Sequence, residues 1–173
     1  MLHFIRRAAP WALSVWIAYV FLWYLQYKFT GHPGSVDLFT TLTDWIGFHG
    51  YEKVMRIGTG SAELVASILL FIPMTQTVGA AFSLAIMSGA IFFHVASPLG
   101  IDPYGDGGVL FKEACATWIA SAVILLLQRD REAAGVVRRR PRAAQQVLAP
   151  LGGGRQVGVE LHALGTAEHR PGR

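Results

Sequence analysis

The chain has 173 residues, enough for one domain, of which 53% are hydrophobic and only 15% charged, with a formal net charge of +4. A soluble domain carries nearer a quarter charged residues, so the composition excludes an ordinary water-soluble fold and calls for segments that lie in lipid. The single cysteine, Cys115, excludes an internal disulfide, a C-x-x-C relay and a thiolate zinc cluster.

Four apolar runs carry the excess: Trp11 to Tyr27, Ile57 to Ile72, Val78 to Ala96 and Val109 to Leu127. At ~1.5 Å per residue each spans roughly 24–29 Å, close to a bilayer core of ~30 Å. Four such helices would overfill the core of a small soluble protein. The expected fold is therefore all-α, an integral membrane four-helix bundle over residues 1–128, followed by a basic, disordered cytoplasmic tail over 129–173.

The first run follows Arg6, Arg7 and Pro10, and its exit, "WYLQYKFTGHPGS", offers no A-x-A-like cleavage site, so it reads as a retained helix. Trp11 at one end and Trp23, Tyr24 and Tyr27 at the other suit the two interfacial belts. Trp16, Tyr19 and Trp23 share a face that packs against lipid or neighbouring helices, or touches a flat ring such as a quinone. "GHPG" is a turn, and "SVDLFTTLTDWIGFHG" predicts a short amphipathic helix with Ser35 as N-cap and Gly47 as its stop.

The second run has Gly58, Ala62 and Ala66 at four-residue spacing, a pattern that lets two backbones approach closely. Pro73 ends it, and the short "MTQT" link makes the second and third helices an antiparallel hairpin. The third carries its own small stripe of Gly79, Ser83 and Ala90 leading to His94. "SPLGIDPYGDGG" is a turn before the fourth helix. From Arg129 the sequence is rich in Arg, Gly and Ala with little periodicity, which predicts disorder.

Charge sets the expected orientation. Loops 28–56 and 97–108 sum to −2, whereas the N-terminal segment and the tail sum to +7. Positive segments stay inside, so both termini are expected in the cytoplasm, with the chain a multi-pass protein of the inner membrane. The basic tail then points to anionic membrane lipids as partners and not to nucleic acid.

That topology brings the ionisable residues to one level. Lys28 ends the first helix, Arg56 and Glu63 enter with the second, His94 leaves with the third, and Lys112 and Glu113 enter with the fourth. All six fall in the outer half of the bundle, and no helix places a charge in the inner half. Charges at membrane depth face the bundle interior, paired or wet. The expected pairs are Glu63 with Lys112 or Arg56, and His94 with Glu113. Such a network either fixes helix register or lines a functional pocket.

Other readings of these residues are weaker. A haem needs an axial pair, and His94 is the only histidine within a span, with His49 in a loop as the sole second ligand on offer. "DPYGDGGVLFKE" puts Asp102, Asp106, Gly107 and Glu113 at calcium-loop positions, but Tyr104 and Leu110 occupy ligand positions there. No G-x-S-x-G, P-loop or dinucleotide fingerprint occurs, so no catalytic residue, metal site or resident cofactor is evident.

"YKFTGHPGSVDLF", "RIGTGSAELVASILLFIP", "GAAFSLAIMSGAIFFH" and "GDGGVLFKEA" together resemble the DoxX family of small four-helix bacterial membrane proteins, over roughly residues 11 to 128. The resemblance implies a four-helix bundle and relevance for Lys28 and Phe29, Glu63 and His94. It also implies a membrane subunit of a quinone- or sulfur-linked oxidoreductase, with quinone as the candidate ligand and a redox enzyme as the candidate partner. Architecture follows from such a likeness more strongly than reaction does. The expected function is a membrane subunit with a polar, outward-opening pocket. The alternatives are a small-molecule or proton-coupled carrier, or a passive scaffold.

Overall fold

A computed structural model describes residues 2–148, with side chains from Ala8 to Arg129. It is helical throughout: α1 spans Leu2–Thr30, α2 Pro33–Trp45, α3 Glu52–Phe71, α4 Gln76–Ala96 and α5 Val109–Leu148, with no strand among the described residues. Four stretches are long and apolar enough to cross a membrane: Ala8–Thr30, Glu52–Phe71, Gln76–Ala96 and Val109–Arg129. The protein is thus an all-α, multi-pass membrane protein. Within the described residues, those up to Ala133 form one compact unit and those from Ala134 belong to a second.

The expected helices are all present, and the ends differ for local reasons. Pro10 lies inside α1, not before it, where it removes one backbone donor without ending the helix. The short helix starts at Pro33, with His32 and not Ser35 as N-cap; His32 Nδ1 accepts from Gly34 N–H. Proline's fixed φ favours the first helical position, so Pro33 outcompetes Ser35. At the other end Gly47 has φ +82°, and the Phe48 and Gly47 N–H groups donate to the Thr43 and Asp44 carbonyls. This is the paired closure that needs a left-handed residue just past the helix. The fourth long helix runs to Leu148, beyond the expected end at Leu127. Residues 129–148 are rich in Ala, Arg and Gln, good helix formers that continue a helix without an apolar stripe. The expectation of disorder beyond 148 lies outside the described residues.

The core is shared by all four long helices: Ile17 and Phe21 of α1, Ala66 and Leu70 of α3, Ala80 and Met87 of α4, and Ala114, Ala120 and Ile124 of α5. The small residues that bring helices together are not quite the expected set. Gly58 sits on an exposed face with nothing near it. The close approach of α3 to α1 is at Gly60, where a Cβ would meet the Phe29 ring at 2.9 Å. The α3–α4 hairpin closes at Gly79, where a Cβ would lie 2.7 Å from the Leu70 backbone nitrogen. At Gly79, which faces backbone, only a missing side chain allows the contact, whereas at Gly60 the neighbours are side-chain ends of Phe29 and Leu25.

Buried polar groups continue below the ionisable level, toward the hairpin end of the bundle. Ser121 donates to Ser83 at 2.9 Å, and Gln76 bridges Ser14 at 3.1 Å and Gln128 at 2.5 Å. None of these side chains is charged. Trp16, Tyr19 and Trp23 form a continuous stripe along the exposed side of α1, and of the three only Trp23 also reaches the cavity described next.

Candidate functional site

A cavity of about 560 Å³ opens within the bundle at the end where α2 lies. Its walls are largely apolar, from Phe21, Leu38, Phe39, Met87 and Phe93 among others, and its polar residues include Tyr24, Lys28, Glu63, His94 and Glu113.

Glu63 is buried on α3, and both of its carboxylate oxygens accept from Lys28 Nζ, at 2.7 and 3.0 Å. The helix geometry explains the pairing. A side chain leans toward the N-terminus of its own helix. Lys28, near the end of α1, therefore reaches back into the bundle, where Glu63 lies about 16 Å along α3 from Glu52. The ammonium also lies 5.9 Å from the Tyr24 ring centroid. The expected partners of Glu63, Lys112 and Arg56, are not its partners.

Arg56 is buried but lies outside the cavity lining. Its guanidinium donates to the Lys28 carbonyl and to Glu52, one turn earlier on α3. The Lys28 carbonyl is among the last four of α1 and has no partner within that helix. Arg56 thus caps α1 with a positive charge at the negative end of its dipole. Lys112 is exposed and absent from the cavity lining. Adjacent residues on a helix do not face the same way, so the turn that aims Glu113 inward aims Lys112 out.

His94 and Glu113 both line the cavity but do not pair with each other. Glu113 accepts the Tyr24 hydroxyl at 2.6 Å. His94, buried in the last turn of α4, places Nδ1 2.7 Å from the Gly100 carbonyl, with its ring edge-on to Phe111. A carbonyl can only accept, so Nδ1 carries the hydrogen. The contact latches the loop after α4, and Tyr104 of that loop donates to the Gly34 carbonyl, tying it to the start of α2.

Tyr24 is the site residue that sequence reading placed elsewhere, in the interfacial belt. Its signal was its spacing: four residues before Lys28, it shares that residue's face of α1. The candidate ligand sets do not converge. His49 pairs with exposed Asp44 at 2.9 Å. Asp102 accepts backbone N–H groups of its own loop, Asp106 accepts those of Gly108 and Val109 at the start of α5, and Glu113 is engaged with Tyr24. Among the described residues no three His, Cys, Asp or Glu side chains gather around one point.

No family model matches the chain, and no solved structure matches it. Over 101 residues the chain is 27% identical to the uncharacterized protein YwoB of Bacillus subtilis (strain 168), and the aligned region covers 58% of this chain and 59% of YwoB. The chain is therefore similar to a bacterial protein over little more than half the length of each.

Proposed function

We propose that the chain is a DoxX-like subunit of a redox- or stress-linked complex in the bacterial inner membrane, and that its cavity seats the headgroup of a quinone-class molecule. One observation carries this reading. A cavity of about 560 Å³ with apolar walls brings together ionisable groups from α1, α3, α4 and α5. A single pair, Lys28–Glu63, would fix helix register. His94 and Glu113 are additional polar groups around one space, and ligand sites are apolar clefts of this size with a few placed polar groups. The net positive N-terminal segment and tail favour both termini in the cytoplasm, with the cavity open to the outer side. A lipophilic headgroup reaches it from the bilayer, and the reaction proper belongs to a partner enzyme.

The test is purification in a mild detergent with identification of what accompanies the chain. A co-purifying oxidoreductase subunit supports the reading. The uncharged ladder of Ser83–Ser121 and Ser14–Gln76–Gln128 favours a second reading, a proton-coupled carrier. Flux of protons or a small solute into liposomes holding this chain alone would establish the carrier and displace the subunit.

A further inference from the structure

The cavity's polar groups have unequal freedom. The Lys28 ammonium, with three hydrogens, gives bonds to both Glu63 oxygens. The Tyr24 hydroxyl gives its hydrogen to Glu113. These are the donors set inside the wall, and they are largely spent; the Trp23 and His32 rings, whose N–H groups could also give a hydrogen, line the cavity from exposed positions. The strong acceptors are not spent. His94 Nδ1 carries the hydrogen that meets the Gly100 carbonyl, so the neutral ring has only the Nε2 lone pair left to offer. Nε2 has no hydrogen-bond partner among the described residues, yet it is not sealed in. The one fully enclosed side-chain nitrogen or oxygen without a partner among those residues is Thr117 Oγ1. His94 itself lines the cavity. The second oxygen of Glu113 is likewise without a partner among the described residues, on a residue that lines the same cavity. The Ser35, Thr59 and Tyr27 hydroxyls also line it, and a hydroxyl both gives and accepts, so these do not discriminate.

We infer that this cavity selects a ligand headgroup that donates hydrogen bonds, the reduced hydroquinone form over the oxidised quinone, with His94 Nε2 and Glu113 as the residues that read the hydroxyl hydrogens. The inference rests on the quinone-class reading above and adds the redox state that is bound. A hydroxyl gives its hydrogen to Nε2 or to the carboxylate. A quinone carbonyl at the same place sets lone pair against lone pair and displaces water that could otherwise meet those acceptors, which makes them costly to leave unmet.

Tritiated dodecyl-hydroquinone is bound to the full chain in nanodiscs under anaerobic conditions. The matching dodecyl-benzoquinone, the hydroquinone dimethyl ether and dodecyltrimethylammonium serve as competitors. The hydroquinone is expected to bind at least about tenfold more tightly than the quinone and the ether, as a bond to a charged or strongly basic acceptor implies. Glu113→Gln keeps an oxygen for Tyr24 but replaces the open acceptor with a donor, so the preference should swing toward the quinone. His94→Ala should shrink the preference. Since it also removes the Gly100 latch, Glu113→Gln is the variant that decides if His94→Ala does not fold. Equal binding of the two redox forms, tighter quinone, or an unchanged ratio in Glu113→Gln overturns the donor selection and leaves the quinone-class site standing. Tighter binding of the quaternary ammonium, which has no hydrogen to give, overturns it in favour of selection by charge. If no probe binds, both the site reading and this inference fall.

Discussion

Removing the charge of Glu63 should destabilise the bundle through Lys28, not through Lys112 or Arg56. Glu63 is only 4% exposed and the Lys28 side chain 12%, so both charges are largely out of water. Glu63→Gln preserves shape but strands the ammonium beside a neutral amide. Removing one partner of a buried pair costs about 3–5 kcal/mol, and the lower figure suits Lys28, which borders the cavity and can draw water from it. Removing both charges with Lys28→Met and Glu63→Gln should restore more than half of the loss, because no uncompensated charge remains. Lys112→Met should stay within about 0.5 kcal/mol of wild type, since that side chain is exposed. The assay is reversible unfolding in mixed micelles of wild type, each single variant and the double, read as a coupling free energy. If Glu63→Gln unfolds within about 1 kcal/mol of wild type, or if Lys112→Met rescues it and Lys28→Met does not, the pairing is wrong.

Gly79→Ala should lose about 1–3 kcal/mol in the same assay, because the new carbon meets the α3 backbone, whereas Gly58→Ala, with nothing near it, should be neutral or slightly stabilising. Asp102 is drawn slightly up by desolvation, but the N–H groups of Gly108, Asp106, Gly107 and Gly105 outweigh that and hold its carboxyl below the usual carboxylate range. A carboxyl depressed in the folded loop favours that loop in full above its unfolded pKa and loses the effect as pH falls through its folded one. Amide exchange at Gly107 should therefore accelerate on acidification beyond the chemical exchange rate, and Asp102→Asn should abolish that extra dependence. A reporter active only in the cytoplasm should give signal when fused to the C-terminus and none when inserted in the 97–108 loop, as expected from the positive N-terminal segment and tail.

Much of the architecture was legible because lipid imposes a simple grammar. Length and hydropathy located four spans, and Pro73 located the hairpin turn. The short helix was legible from its amphipathic period, but its start was misread at Ser35 because the proline rule outweighs the serine cap there. Spacing along a helix gave the level of Lys28, Glu63, His94 and Glu113. It could not say which helix stands beside which. Glu63 was therefore matched with Lys112 or Arg56, while its neighbour across the α1–α3 contact is Lys28. The link from His94 to the Gly100 carbonyl was illegible for a different reason: backbone acceptors in a Gly- and Pro-rich loop leave no mark in residue type.

The most direct test of the cavity as a binding site compares wild type with Ala90→Phe, each purified in a mild detergent and extracted for mass spectrometry of its small molecules. Ala90 lines the cavity on α4, so the larger ring fills space the ligand would need. The expected result is a quinone-class molecule recovered in near-stoichiometric amount with wild type and lost from Ala90→Phe, with helix content and unfolding temperature unchanged. Wild type carrying no such molecule, even after purification from quinone-supplemented membranes, or the same molecule retained in full by Ala90→Phe, would contradict the cavity as its seat.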